Sequence, residues 1–136
     1  MRFNGWWAAV IVWCGVIFYF TASPAFTGDN THSVIQLLAG LPAPIADTIN
    51  LIVRKCAHAT AFGLLAVLVY MALRRQSKRA VLWAWGFATL YGASDEFHQS
   101  LVPDRGPSIV DVGIDSAGAL FAVLLVSAIL KWRKRA

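Results

Sequence analysis

Four stretches of the chain, about residues 5–22, 56–73, 80–97 and 109–130, are apolar over nearly their whole length. This pattern limits the fold more than any motif does. A helix rises about 1.5 Å per residue and a bilayer's hydrocarbon core is about 30 Å thick, so roughly 17–25 apolar residues are needed to cross it. All four stretches are long enough, the second and third only just. The expected fold class is all-α: a polytopic membrane protein with four transmembrane helices forming a single transmembrane domain over residues 1–136. With 58% hydrophobic and 14% charged residues, the chain departs from a soluble domain of about 45–50% and about 25%. That composition excludes a disordered chain and argues against a soluble enzyme. A net charge of +5 suggests nucleic acid at first sight. The basic residues, however, sit in short clusters beside the apolar blocks, a topology signal, so no nucleic-acid partner is expected.

The basic clusters set an orientation. Arg74, Arg75, Lys78 and Arg79 fill the link between blocks two and three; Lys131, Arg133, Lys134 and Arg135 follow block four; Arg2 precedes block one. By the positive-inside rule these places are cytoplasmic, and four spans with both termini inside satisfy them together. The acids are an independent check, because the rule does not use them. All seven, Asp29, Asp47, Asp95, Glu96, Asp104, Asp111 and Asp115, fall on the outer side of this arrangement. Trp6, Trp7, Trp83, Trp85 and Trp132 lie near block ends, where indole favours the interface. A cleaved signal peptide over block one is disfavoured: its basic region is thin, a proline crowds the cut, and Trp6, Trp7, Trp13 and Tyr19 are unusual in such a segment.

The outer loop from Ser23 to Lys55 is only partly polar. Residues 33–38 read as a short amphipathic helical turn ending at Gly40, and Pro42 and Pro44 break it. Residues 45–53 resume a helical period. One or two interfacial helices are expected, the second feeding into span two. Cys14 and Cys56 form no metal or redox motif and read as small hydrophobes.

Polar chemistry collects in three places: Arg54, Lys55 and His58 at the mouth of span two; Asp95, Glu96, His98 and Gln99 at the end of span three; Arg105, Asp111 and Asp115 before and within the start of span four. Spans one and two are otherwise bland. Arg54 and His58 are four apart and share a helix face, as do Asp111 and Asp115. Asp95, His98 and Gln99 share another, with Glu96 at its edge. Gly118 and Ala122 extend the aspartate stripe with small side chains that let a neighbouring helix approach. An ionisable group as deep as Asp115 costs roughly 2.5–3.5 kcal/mol on insertion scales. It must face the bundle interior and a partner, with His58, His98 and Arg105 as candidates. Salt bridges that serve only packing do not need so many charges at one depth, so a polar cavity open to the outer leaflet is expected.

The run Asp95-Glu96-Phe97-His98-Gln99, then Val102-Pro103-Asp104-Arg105, then Asp111-Val112-Gly113-Ile114-Asp115-Ser116-Ala117-Gly118, after His58, resembles the VanZ-like family of bacterial membrane proteins. The likeness covers roughly residues 50–130. It implies a multi-pass protein of the bacterial cytoplasmic membrane and cell envelope and, through the member that names the family, a link to low-level resistance to the glycopeptide antibiotic teicoplanin. The family's polar pattern falls on His58, Asp95, Glu96, His98, Gln99, Arg105, Asp111 and Asp115.

Three functions stay open on the residues. In the first, an enzyme acts on a lipid-linked or phosphate- or carboxylate-bearing envelope substrate. Arg54, Lys55, Gln99 and Arg105 bind it, and His58 or His98 serves as acid or base beside Asp95, Glu96, Asp111 and Asp115. Asp111 and Asp115, with Glu96, are also candidate ligands for a divalent metal, the one cofactor suggested. In the second, the pocket binds without catalysis a membrane lipid, a lipid-linked cell-wall precursor or a glycopeptide. The third, a proton-coupled relay, is disfavoured by the apolar cytoplasmic halves. No lipid-phosphatase signature and no nucleophile elbow is present; Ser94 and Ser100 are merely nearby.

Overall fold

A computed structural model describes residues 4–23, 40, 42–101 and 108–135. These form four helices: α1 (Gly5–Ala22), α2 (Ala43–Leu73), α3 (Ala80–Gln99) and α4 (Ile109–Trp132), and no strand occurs among the described residues. The expected turn at residues 33–38, Asp104 and Arg105 lie outside the described residues.

Local chemistry explains the ends. The Asn4 side chain accepts from the Trp6 amide and starts α1, as an N-cap should. α2 begins behind Pro42, with a second proline in its first turn, where a missing N–H costs nothing. Ser108 caps α4 by accepting from the Asp111 amide at 3.2 Å. Asp111 in the first turn and Lys131 in the last both suit the helix dipole.

The expected second interfacial helix is continuous with span two. Residues 45–53 belong to the 31-residue helix α2, because no glycine or proline follows Pro44 to interrupt it before Gly63. Three helices, α1, α2 and α4, are long and apolar enough to cross a membrane. α3 is 20 residues long but ends in Asp95, Glu96, His98 and Gln99, which lowers its apolarity. Many large apolar side chains face outward, among them Ile11, Leu90, Phe121 and Ile109, the surface expected of a helical membrane protein.

α2 is the hub and packs on α4, α3 and α1. Its closest approach is to α4. A Cβ added to Gly118 would stand 2.8 Å from the Ala59 carbonyl oxygen, and one added to Gly63 would stand 3.2 Å from Ala122 Cβ. The small pairs Ala59/Gly63 and Gly118/Ala122, each four apart, therefore interlock. Lipid tails are as apolar as leucine, so close packing of this kind, rather than the hydrophobic effect, holds membrane helices together. Interhelical hydrogen bonds add to it. Asn4 donates to Ala72 O at 3.0 Å, Trp13 Nε1 to Ala61 O at 2.9 Å, and the Tyr91 hydroxyl to Cys14 O at 2.8 Å. Trp85, expected at the interface, instead turns inward and donates to Ser116 Oγ at 3.0 Å.

Candidate functional site

At the end opposite the basic clusters, α2, α3 and α4 enclose a cavity of about 80 Å³. Arg54, Lys55 and His58 reach it from α2, Glu96 and Gln99 from α3, and Asp111 and Asp115 from α4, with Leu51 and Ile114 as apolar wall. The space is ample for water or a small polar group, since one water needs roughly 10–15 Å³.

Asp115 is the deepest charge, about 9 Å along the helix from Ile109. It is only 2% exposed, and neither carboxylate oxygen accepts a hydrogen bond. Facing it is the His58 imidazole, whose Nδ1 lies 3.6 Å from Asp115 Oδ2. Of the two expected partners that lie among the described residues, His58 and His98, the structure sets His58 against Asp115. Gly92 of α3 faces this spot: a Cβ there would sit 3.5 Å from the Phe62 ring and 3.8 Å from Asp115 Cβ.

Lys55 and Asp111 form an ion pair by Nζ and Oδ1. Both were expected to serve substrate or catalysis; here each neutralises the other across α2 and α4. Arg54 has no carboxylate within ion-pair distance among the described residues.

α3 splits its polar residues differently from the expected single face. Glu96 and Gln99 line the cavity. Glu96 is 6% exposed, and its Oε2 accepts from the Ser108 amide at 3.0 Å, so it clamps the end of α3 to the start of α4. Asp95 turns to α1: Thr21 Oγ1 donates to its Oδ1 at 2.6 Å and Gln99 Nε2 to its Oδ2 at 2.7 Å. His98 does not line the cavity. Its ring lies 4.6 Å from that of Phe18 on α1, and its buried Nδ1 has no hydrogen-bond partner. A 100° step per residue separates the two pairs: i and i+3 line the cavity, while the preceding i and i+3 face α1.

Thr21 was hidden in a block that reads as bland. Its hydroxyl also bonds back to Ile17 O at 2.9 Å, an ordinary way to place Thr in a membrane helix. Only the partner on α3 reveals its role. Replacing Thr21 by Val removes a charge-assisted bond and leaves a buried carboxylate oxygen short of a donor. The thermal unfolding of the detergent-solubilised protein is expected to reveal a loss of about 1–2 kcal/mol; a loss under roughly 0.5 kcal/mol would show that this latch carries little.

The divalent-metal reading for Asp111, Asp115 and Glu96 is not carried by this geometry. Among the described residues no three His, Cys, Asp or Glu side chains are grouped to hold a metal ion, because Asp111 is engaged by Lys55 and Glu96 by the Ser108 amide.

No curated protein and no solved structure is significantly similar to the chain. The family model described as VanZ/LLP1 matches residues 6–131. With nearly its whole length matched and its long apolar helices meeting around a histidine–aspartate pair, the chain is a helical membrane protein that belongs to the VanZ/LLP1 family.

Proposed function

We propose that this protein is an enzyme of the bacterial cytoplasmic membrane that works at the outer leaflet on a lipid-linked substrate bearing a phosphate or carboxylate. The observation that carries this reading is the His58–Asp115 pair, set at 3.6 Å beside a cavity where Arg54 is unmatched among the described residues. With the basic clusters at Arg74, Arg75, Lys131 and Lys134 read as cytoplasmic, the cavity at the opposite end faces outward. Arg54 seats the anion, with bidentate hydrogen bonds available from its guanidinium. Arg105 is a further candidate for that anion. Asp115 orients the imidazole, leaving the other ring nitrogen to act as general base. In hydrolysis, water adds to the ester carbon or phosphorus and gives its proton to His58. The ester bond then breaks, and His58 returns the proton to the departing oxygen. Change to a lipid or cell-wall precursor at this surface is a route by which a protein of this family alters the response to a glycopeptide such as teicoplanin.

A second reading, a non-catalytic receptor for the same head group, is favoured by one observation: among the described residues, no Ser, Thr or Cys lines the cavity. Mass spectrometry of envelope lipid extracts separates the two. Cells with the intact protein are expected to differ from deleted cells by a covalently changed lipid or precursor, and cells with His58→Gln are expected to match the deletion at equal protein level. An unchanged set of lipids in all three would remove the enzyme reading.

A further inference from the structure

Two cavities meet at Arg54 and His58. The polar one is the site already described. The other, about 320 Å³, is a nearly all-apolar groove between α1 and α2, with Trp13, Ile17 and Phe20 on one wall and Val53, Ala57 and Ala61 on the other. Arg54 and His58 line both. The groove's walls are tied together by the Trp13 bond to Ala61 O, and its α1 wall is held at the pocket end by the Thr21 bond to Asp95.

We infer that pocket and groove are two parts of one lipid site, in which an anionic phosphate head sits at Arg54 beside His58 and the adjoining acyl chain lies between α1 and α2. This rests on the head-group reading above and adds where the chain goes. Charge decides the occupant of the polar part. Lys55 is matched by Asp111 and His58 faces Asp115, while Arg54 is unmatched among the described residues and stands where the two cavities join. Phe20 and Val53 are about half exposed, at 47% and 49%, so the groove lies open at its side. A chain entering there from the bilayer never crosses water. Because a lipid chain is already in apolar surroundings, the groove gains little from the hydrophobic effect. Its part is steric: it gives the chain a place to lie while the head is in the pocket.

The test uses the full purified protein and phosphatidylcholine vesicles containing phosphatidylglycerol brominated on its acyl chains. Bromine close to Trp13 quenches indole fluorescence. Brominated phosphatidylglycerol is expected to quench the native protein more than brominated phosphatidylcholine does. Soluble glycerol 3-phosphate, a head without a chain, is expected to bind the detergent-solubilised protein through Arg54. Ala57→Phe fills the groove and leaves every charge in place. It is expected to weaken the phosphatidylglycerol response at least about tenfold while binding glycerol 3-phosphate as the native protein does. Val53→Phe, on the same wall, repeats the test independently. Arg54→Gln is expected to lose both ligands. If the groove variants respond to brominated phosphatidylglycerol like the native protein, the chain site is wrong and the head-group reading stands. If Arg54→Gln keeps both ligands, the head-group reading falls as well. Equal quenching by the two lipids in the native protein, or loss of glycerol 3-phosphate from both groove variants, also overturns the proposal.

Discussion

Gly118→Leu is expected to prevent the bundle from assembling, and Gly118→Ala to destabilise it by about 1–3 kcal/mol. The contact that causes this is rigid. A methyl at Gly118 would lie 2.8 Å from a backbone oxygen and 2.9 Å from the Ala59 Cβ, and neither atom can swing aside as the end of a long side chain would. The helices must move apart, and the interlocked Gly63–Ala122 contact loosens with them. Gly113 supplies the control on the same helix. A Cβ there meets nothing within 4 Å, so Gly113→Ala is expected to be neutral or to stabilise by up to roughly 1 kcal/mol through helix propensity. Thermal unfolding in detergent, followed by tryptophan fluorescence, compares the two. Similar behaviour of Gly113→Ala and Gly118→Ala would contradict the close crossing of α2 and α4.

The second large effect concerns the His58–Asp115 pair. His58→Leu leaves a carboxylate that is 2% exposed without its facing imidazole, at a cost of about 3 kcal/mol. Adding Asp115→Leu to it is expected to restore most of that stability, since two apolar side chains replace the polar pair without leaving a carboxylate unpartnered. Function goes the other way. Asp115→Asn keeps shape and folding but no longer fixes the imidazole, and turnover of the lipid found by extract comparison is expected to fall by about 10²–10⁴-fold. A purely structural pair predicts the opposite: the Leu–Leu double variant would then retain both its melting temperature and its effect on envelope lipids. Melting curves and lipid extracts of the three variants, taken together, decide the matter.

Much of the fold was legible because apolar runs and charge clusters are long-range patterns that survive any local detail. α1 begins and ends where the first apolar block does, and α3 and α4 overrun theirs only by two residues each. The exception is α2, which starts well before its apolar core because an amphipathic period and an apolar one join without a helix breaker. Within the site, the spacing of four between Arg54 and His58 and between Asp111 and Asp115 correctly put each pair on one face. The pairing across helices was not legible. Which acid meets Lys55, and whether His98 or His58 meets Asp115, depends on the rotation of α3 and α4 about their axes. That rotation is set by the glycine–alanine crossing and by Trp85 reaching Ser116, neither of which announces its partner in the sequence. The same rotation carried His98 out of the cavity and brought in Glu96, which had been placed at the edge.

Ala59 follows His58 directly, and Gly118 lies one turn beyond Asp115. The point where the two backbones touch therefore acts as a fulcrum beside the imidazole and the carboxylate. One extra methyl group at the fulcrum would shift their spacing. The spacing on which the chemistry depends is thus set by two of the smallest residues in the chain, neither of which lines the cavity.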